Sequence, residues 1–150
     1  MSVNTDVLAL AVSVFALVLT LVQYLKDNSR TKNEATLDAY NELQDSTFSK
    51  LNCILRELDD CKDERGRLKI DRNNQHWEEI TNCLAKIERF SVGVNSGIYS
   101  IKIVRRVSGG YMVRLHEELS LIIEDKTNQN ISEGKHYDEF EALVRELAKK

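Results

Sequence analysis

The chain has 150 residues, of which 42% are hydrophobic and 30% charged, with six glycines, three cysteines and no proline. Its 21 basic and 24 acidic side chains give a formal net charge of −3, which excludes bulk electrostatic attraction to nucleic acid, and no nucleic-acid partner is expected. Three scattered cysteines exclude a disulfide framework, and a reducing compartment would keep them as thiols.

From Val7 to Leu25 the sequence reads VLALAVSVFALVLTLVQYL, with no charge between Asp6 and Lys26. At about 1.5 Å per residue this stretch rises roughly 28 Å, close to the ~30 Å hydrocarbon core of a bilayer. A cleaved signal peptide would carry Lys or Arg ahead of the run and an A-x-A-like site behind it; MSVNTD has no basic side chain and QYLKDN offers no such site. A buried core helix would show a polar face, and this one is apolar almost all round. The expectation is a single transmembrane helix, with residues 1–25 forming a tail and anchor and residues 26–150 a helical cytoplasmic domain. Lys26, Arg30 and Lys32 follow the span and only Asp6 precedes it, which predicts an outside N-terminus and a cytoplasmic C-terminal domain. Within the span Ala9, Ser13, Ala16, Thr20 and Gln23 recur at steps of four and three. Such a seam of small and polar residues lets two helix backbones approach in lipid, with Thr20 and Gln23 able to hydrogen-bond across, and points to a homodimer.

Beyond the span, KDNSRTKN contains neither Pro nor Gly, so the helix can continue into the cytoplasm. Ser46 is a candidate N-cap for a core-facing helix through Phe48, Leu51, Ile54, Leu55, Leu58 and Cys61, ending near Gly66. After RLKIDRNN, where Asp71, Asn73 and Asn74 can cap, a run from Gln75 to Asn95 places Trp77, Ile80, Leu84, Ile87, Phe90 and Val94 on one face and is expected at the centre of the domain. Gly97 should end it. A short helix from Ser100 through Ile101, Val104 and Val107, a flexible turn at Ser108, Gly109 and Gly110, and a helix from Tyr111 to Lys126 through Leu115, Leu119 and Ile122 should follow. TNQNISEGK reads as a polar loop whose Asn130–Ile131–Ser132 sequon would stay unmodified in the cytoplasm. Tyr137 to Lys150 closes the chain as a helix through Phe140, Leu143, Val144 and Leu147. The fold class is therefore all-α: one transmembrane helix and a bundle of about five helices.

Candidate sites are few. Glu88 falls only about 20° from Trp77 on a helical wheel, so its carboxylate must be hydrogen-bonded, paired or protonated; Arg105, Arg106, Arg114 or a tyrosine hydroxyl could satisfy it. Lys102, Arg105 and Arg106 form a small basic face suited to anionic lipid headgroups. Cys53, Cys61 and Cys83 read as small buried hydrophobes. Cys53 and Cys61 would lie ~12 Å apart along a helix, and His76, His116 and His136 add no short-spaced pair, so no metal or cofactor is expected. No Ser-His-Asp set, GxSxG, P-loop or HExxH is present, and the Arg72/His76 and Arg114/His116 spacings do not suit a helical ribonuclease, so an enzyme is not expected.

The order of anchor, polar stalk, WEEITNCLAKIERFSVGVNSGIY, YMVRLHEEL and DEFEALVREL resembles an uncharacterised family of small bacterial proteins with one N-terminal membrane helix. The resemblance rests on Trp77 to Phe90, Gly93 to Tyr99, and the helix of Tyr137 and Phe140. It implies a tethered helical bundle in a bacterial inner membrane and assigns no catalytic residue. The expected function is a membrane-anchored interaction or regulatory module binding an unknown protein partner or itself; the other reading is a tethered effector, ribonuclease-like or membrane-perturbing, for example in phage defence.

Overall fold

A computed structural model of the chain describes the backbone of residues 3–129 and 137–149 and the side chains of residues 7–127 and 137–149. Helix α1 spans Val3–Leu43. It passes without a break through a π-helical turn, Gln44–Phe48, into α2, Ser49–Glu57, because Leu43, Phe48 and Ser49 all keep right-handed helical angles. No new helix begins at Ser46; its hydroxyl contacts Thr47 Oγ1 at 3.2 Å instead of capping. The wide turn has a packing reason. Leu43 and Phe48 are five residues apart, which a regular α-helix would place about 140° from each other, yet both are buried.

Helix α2 stops at Leu58, short of Gly66, and a 3-10 turn at Asp59–Cys61 follows. Gly66, at φ +75, serves a tight turn instead, in which Asp63 Oδ1 accepts the N–H groups of Arg65 and Arg67 at 2.9 Å each. These bonds, that from Arg67 foremost, hold the Asp63 carboxyl below the usual carboxylate range. The segment is pinned by fully buried Leu68, whose N–H donates to the Glu118 carbonyl at 2.7 Å. Among the described residues the only β-type pairing is an isolated bridge between Lys62 and Leu68.

Asn74 orders the start of α3, Trp77–Asn95, by accepting the His76 N–H on Oδ1 at 2.9 Å and the Trp77 N–H on its carbonyl at 3.0 Å. Trp77, Ile80, Leu84, Ile87, Phe90 and Val94 are all buried, as their spacing predicts. Gly97, at φ +80, turns the chain, and α4 runs unbroken over Ile101–Gln129. The expected turn at Ser108, Gly109 and Gly110 is thus helix. Ser108 bonds back to the Val104 carbonyl at 3.2 Å and Gly109 is buried against Leu147, so tertiary packing holds residues of poor helix propensity in register. Val107, expected inward, is 44% exposed, and the buried face runs through Val104, Ser108 and Met112 instead. The sequon at 130–132 and most of the expected polar loop lie outside the described residues. Helix α5, Asp138–Ala148, buries Phe140, Leu143, Val144 and Leu147.

Among the described residues the bundle is therefore four helical rods, α1–α2 counting as one. α3 packs antiparallel to α1, with Cys83 Sγ 4.0 Å from the Thr47 carbonyl, and the Ser100 N–H donates to Thr36 Oγ1 at 2.8 Å. α4 runs back alongside α2, where the Tyr111 hydroxyl donates to Asn52 Oδ1 at 3.0 Å and Phe48 meets the Tyr111 ring edge-on at 4.9 Å. Burial pushes the Tyr111 phenol up to about 12, so it stays a donor. α5 lies against both α3 and α4.

Candidate functional site

The apolar half of α1 is where the fold departs from water-soluble rules. Val7, Leu8, Leu10, Phe15, Leu17 and Leu21 are each between 55% and 70% exposed, and the other residues of the run are exposed as well. One soluble bundle cannot supply a partner surface for such a rod, whereas a bilayer can. This helix is long and apolar enough to cross a membrane. Along the seam Ser13 donates to the Ala9 carbonyl and Thr20 to the Ala16 carbonyl, both at 2.9 Å. Both hydroxyl hydrogens are thus used within the helix, which leaves Gln23 as the stronger candidate for a cross-helix donor.

Glu88 is half-buried, and its partners are neither arginine nor tyrosine. Its Oε1 accepts the Glu139 N–H at 3.0 Å and its Oε2 the Phe140 N–H at 2.7 Å. These are the second and third residues of α5, the donors an N-cap side chain would normally satisfy. Tyr137 holds the cap position in a left-handed conformation, φ 66, and its own side chain does not cap the helix, so a carboxylate from α3 caps α5 across the bundle and faces its positive end. Asn95, two turns further along α3, donates to the Glu139 carbonyl at 2.9 Å and to its Oε2 at 2.7 Å.

The basic face is split. Lys102, Arg105 and Arg106 are all exposed, but Arg105 Nη2 donates to the Glu146 carbonyl at 2.8 Å and so ties α4 to the C-terminal end of α5. The cysteines divide too. Cys83 is buried and desolvation pushes its thiol up, Cys61 is half-buried, and Cys53, expected inside, is exposed with its Sγ 3.7 Å from Glu57 Oε1. Among the described residues no three His, Cys, Asp or Glu side chains assemble into a metal cluster. Arg72 makes a two-pronged pair with Asp125 at 2.9 Å, while the His76 ring sits 3.4 Å from Glu57 Oε2 and 3.6 Å from Glu79 Oε2, so Arg72 and His76 serve different neighbours. His116 lies edge-on to Phe140, ring centres 5.3 Å apart, and burial lowers its basicity.

Two features have no signal in sequence periodicity. A cleft of about 230 Å³ opens beside the π turn, between Leu43, Ser46 and Thr47 on one side and Lys86, Arg89 and Phe90 on the other. Tyr99 stacks on Phe90 at 5.4 Å beneath it and lies where a Cβ on Gly93 would be, so only glycine admits the ring. The second is the bond from the Ser100 N–H to Thr36, which fastens the α3–α4 turn to α1.

An all-α bundle carried on one long helix, whose run from Val7 to Leu25 is apolar and exposed, defines the class: a helical protein with a candidate membrane anchor. Residues 8–147 match the family described as a domain of unknown function, DUF4760, and the chain belongs to that family. No curated protein and no solved structure matches the chain.

Proposed function

We propose that this protein is a single-pass, membrane-anchored helical module that holds a small interaction or regulatory domain on the cytoplasmic face of a bacterial inner membrane. The observation that carries the reading is the unbroken passage from α1 through the π turn into α2: the rod that would lie in lipid also supplies Leu43, Phe48, Leu51 and Leu55 to the core. Any tilt or rotation of the anchor is thereby passed to the bundle without a flexible joint. Ala9, Ser13, Ala16, Thr20 and Gln23 form the seam on which two copies pair, and the cleft beside the π turn offers a protein partner or ligand a place where binding is felt by the rod. A tethered effector, ribonuclease-like or membrane-perturbing, is the competing reading; Arg72 bound to Asp125 while His76 faces Glu57 and Glu79 disfavours its nuclease form. Crosslinking in intact cells, then solubilisation and identification of the captured species, tests the proposal. Recovery of a second copy or a defined protein partner supports it, whereas nuclease activity in the purified full-length chain that is abolished by His76→Ala would replace it.

A further inference from the structure

We propose that the end of the bundle where α3 turns into α4 rests on the same bilayer that α1 crosses, as a second, peripheral contact with anionic phospholipid headgroups; this rests on reading Val7–Leu25 as the membrane span. The topology puts that turn on the anchor side. α3 descends along α1 from Cys83 beside Thr47 to Ser100 beside Thr36, and α4 then climbs away alongside α2. The distance is short and fixed. Between Leu25 and Thr36, where the turn meets α1 through Ser100, the helix rises about 16 Å, and a headgroup layer takes up roughly 5–8 Å of it. The stalk is helix with no Gly or Pro, so the gap cannot lengthen; an ordinary tilt of about 20° narrows it on one side, and the long side chain of Lys102 can reach across what is left.

The chemistry of this end suits a lipid surface. Ile98, beside Gly97 at the tip of the turn, is 65% exposed. Between the span and Thr36, α1 carries Lys26, Arg30 and Lys32 against Asp27 and Glu34, with Arg30 paired to Glu34 at 2.8 Å, and Lys102 stands exposed in the first turn of α4, four positive charges against two negative in a chain whose formal net is −3. An apolar tip with long basic side chains on the helices beside it is the pattern of an interfacial contact, with the bases reaching phosphates and the tip entering the headgroup boundary. Of the basic face read from sequence, Lys102 belongs to this contact, whereas Arg105 holds α5.

The test uses the full-length chain in lipid nanodiscs with Cys53 and Cys61 changed to Ser, and a fluorophore on one introduced cysteine: Ile98→Cys at the turn, Asp60→Cys at the far end, or Leu17→Cys in the span. Spin-labelled lipids act as quenchers, with phosphatidylcholine alone or with added phosphatidylglycerol. Position 98 should be quenched by headgroup labels about twofold more in the anionic discs than in neutral ones, and Lys102→Glu should remove the difference. Position 60 should not be quenched in either. Quenching at 98 no greater than at 60, or equal in both lipids, overturns the proposal while acyl-chain quenching at position 17 leaves the span intact; no quenching at 17 overturns the span and the contact together.

Discussion

At the scale of single residues, Glu88 shows why a polar side chain can sit on an apolar face. Its two oxygens satisfy the two N–H donors that α5 leaves open, and the helix dipole favours the charge. Glu88→Ala should therefore cost about 1–2 kcal/mol, seen as a lower Tm of the solubilised protein, and Glu88→Gln less, since one oxygen can still accept. An unchanged Tm for Glu88→Ala would contradict the cap. The need for a partner was legible in the helical wheel of α3, but its identity was not, because the donors are backbone groups 51 and 52 residues away. His116 gives a second residue-scale expectation. Burial against Phe140 lowers its basicity more than Glu141 and Glu117 raise it, so the unfolded chain takes up the proton first as pH falls through about 6.5. Stability should fall from that pH down to the lowered folded value and change no further below it. The loss between pH 7 and 5 should be smaller in His116→Gln; denaturant melts at both pH values measure it.

At the scale of elements, glycines in two helices should respond with opposite signs. Gly93 in α3 faces the Tyr99 ring, which is held in place by Phe90 and by the Tyr99 N–H bond to the Gly93 carbonyl at 2.9 Å. Gly93→Ala should destabilise by about 1–3 kcal/mol through overpacking, more than its gain in helix propensity. Gly110 in α4 has open space where a Cβ would go, so Gly110→Ala should stabilise by up to about 1 kcal/mol. Thermal melts of the pair decide the matter, and equal shifts would mean that local crowding is not what distinguishes them. α3 and α5 were readable because their apolar residues recur without interruption every three or four positions. α4 was read as two helices because Ser108, Gly109 and Gly110 carry turn propensities that burial against Leu147 overrides. The false start at Ser46 has a different origin: an inserted residue accommodated as a π turn shifts the apolar phase and imitates a helix boundary.

At the scale of the whole molecule, one rod carries two kinds of surface. From Val7 to Leu25 it is exposed and almost all apolar, and its second part belongs to a core whose anchor-side end is held by Thr36 and Ser100. The cleft escaped the sequence because it needs separate helices brought together, which no single-helix pattern encodes; of the turn, the sequence showed Lys102 but not its place beside α1. If two copies pair through the span, Ala16→Leu should weaken association in the membrane and Leu17→Ala should not, read by crosslinking or energy transfer between labelled copies; equal effects would remove the seam. All of this depends on lipid surrounding Val7 to Leu25. The most direct test is fractionation of lysed cells expressing the full-length chain, followed by alkaline carbonate washing of the membranes. The account predicts that the intact polypeptide stays in the washed membrane pellet and is released only by detergent; its recovery in the supernatant, intact and without detergent, would contradict it.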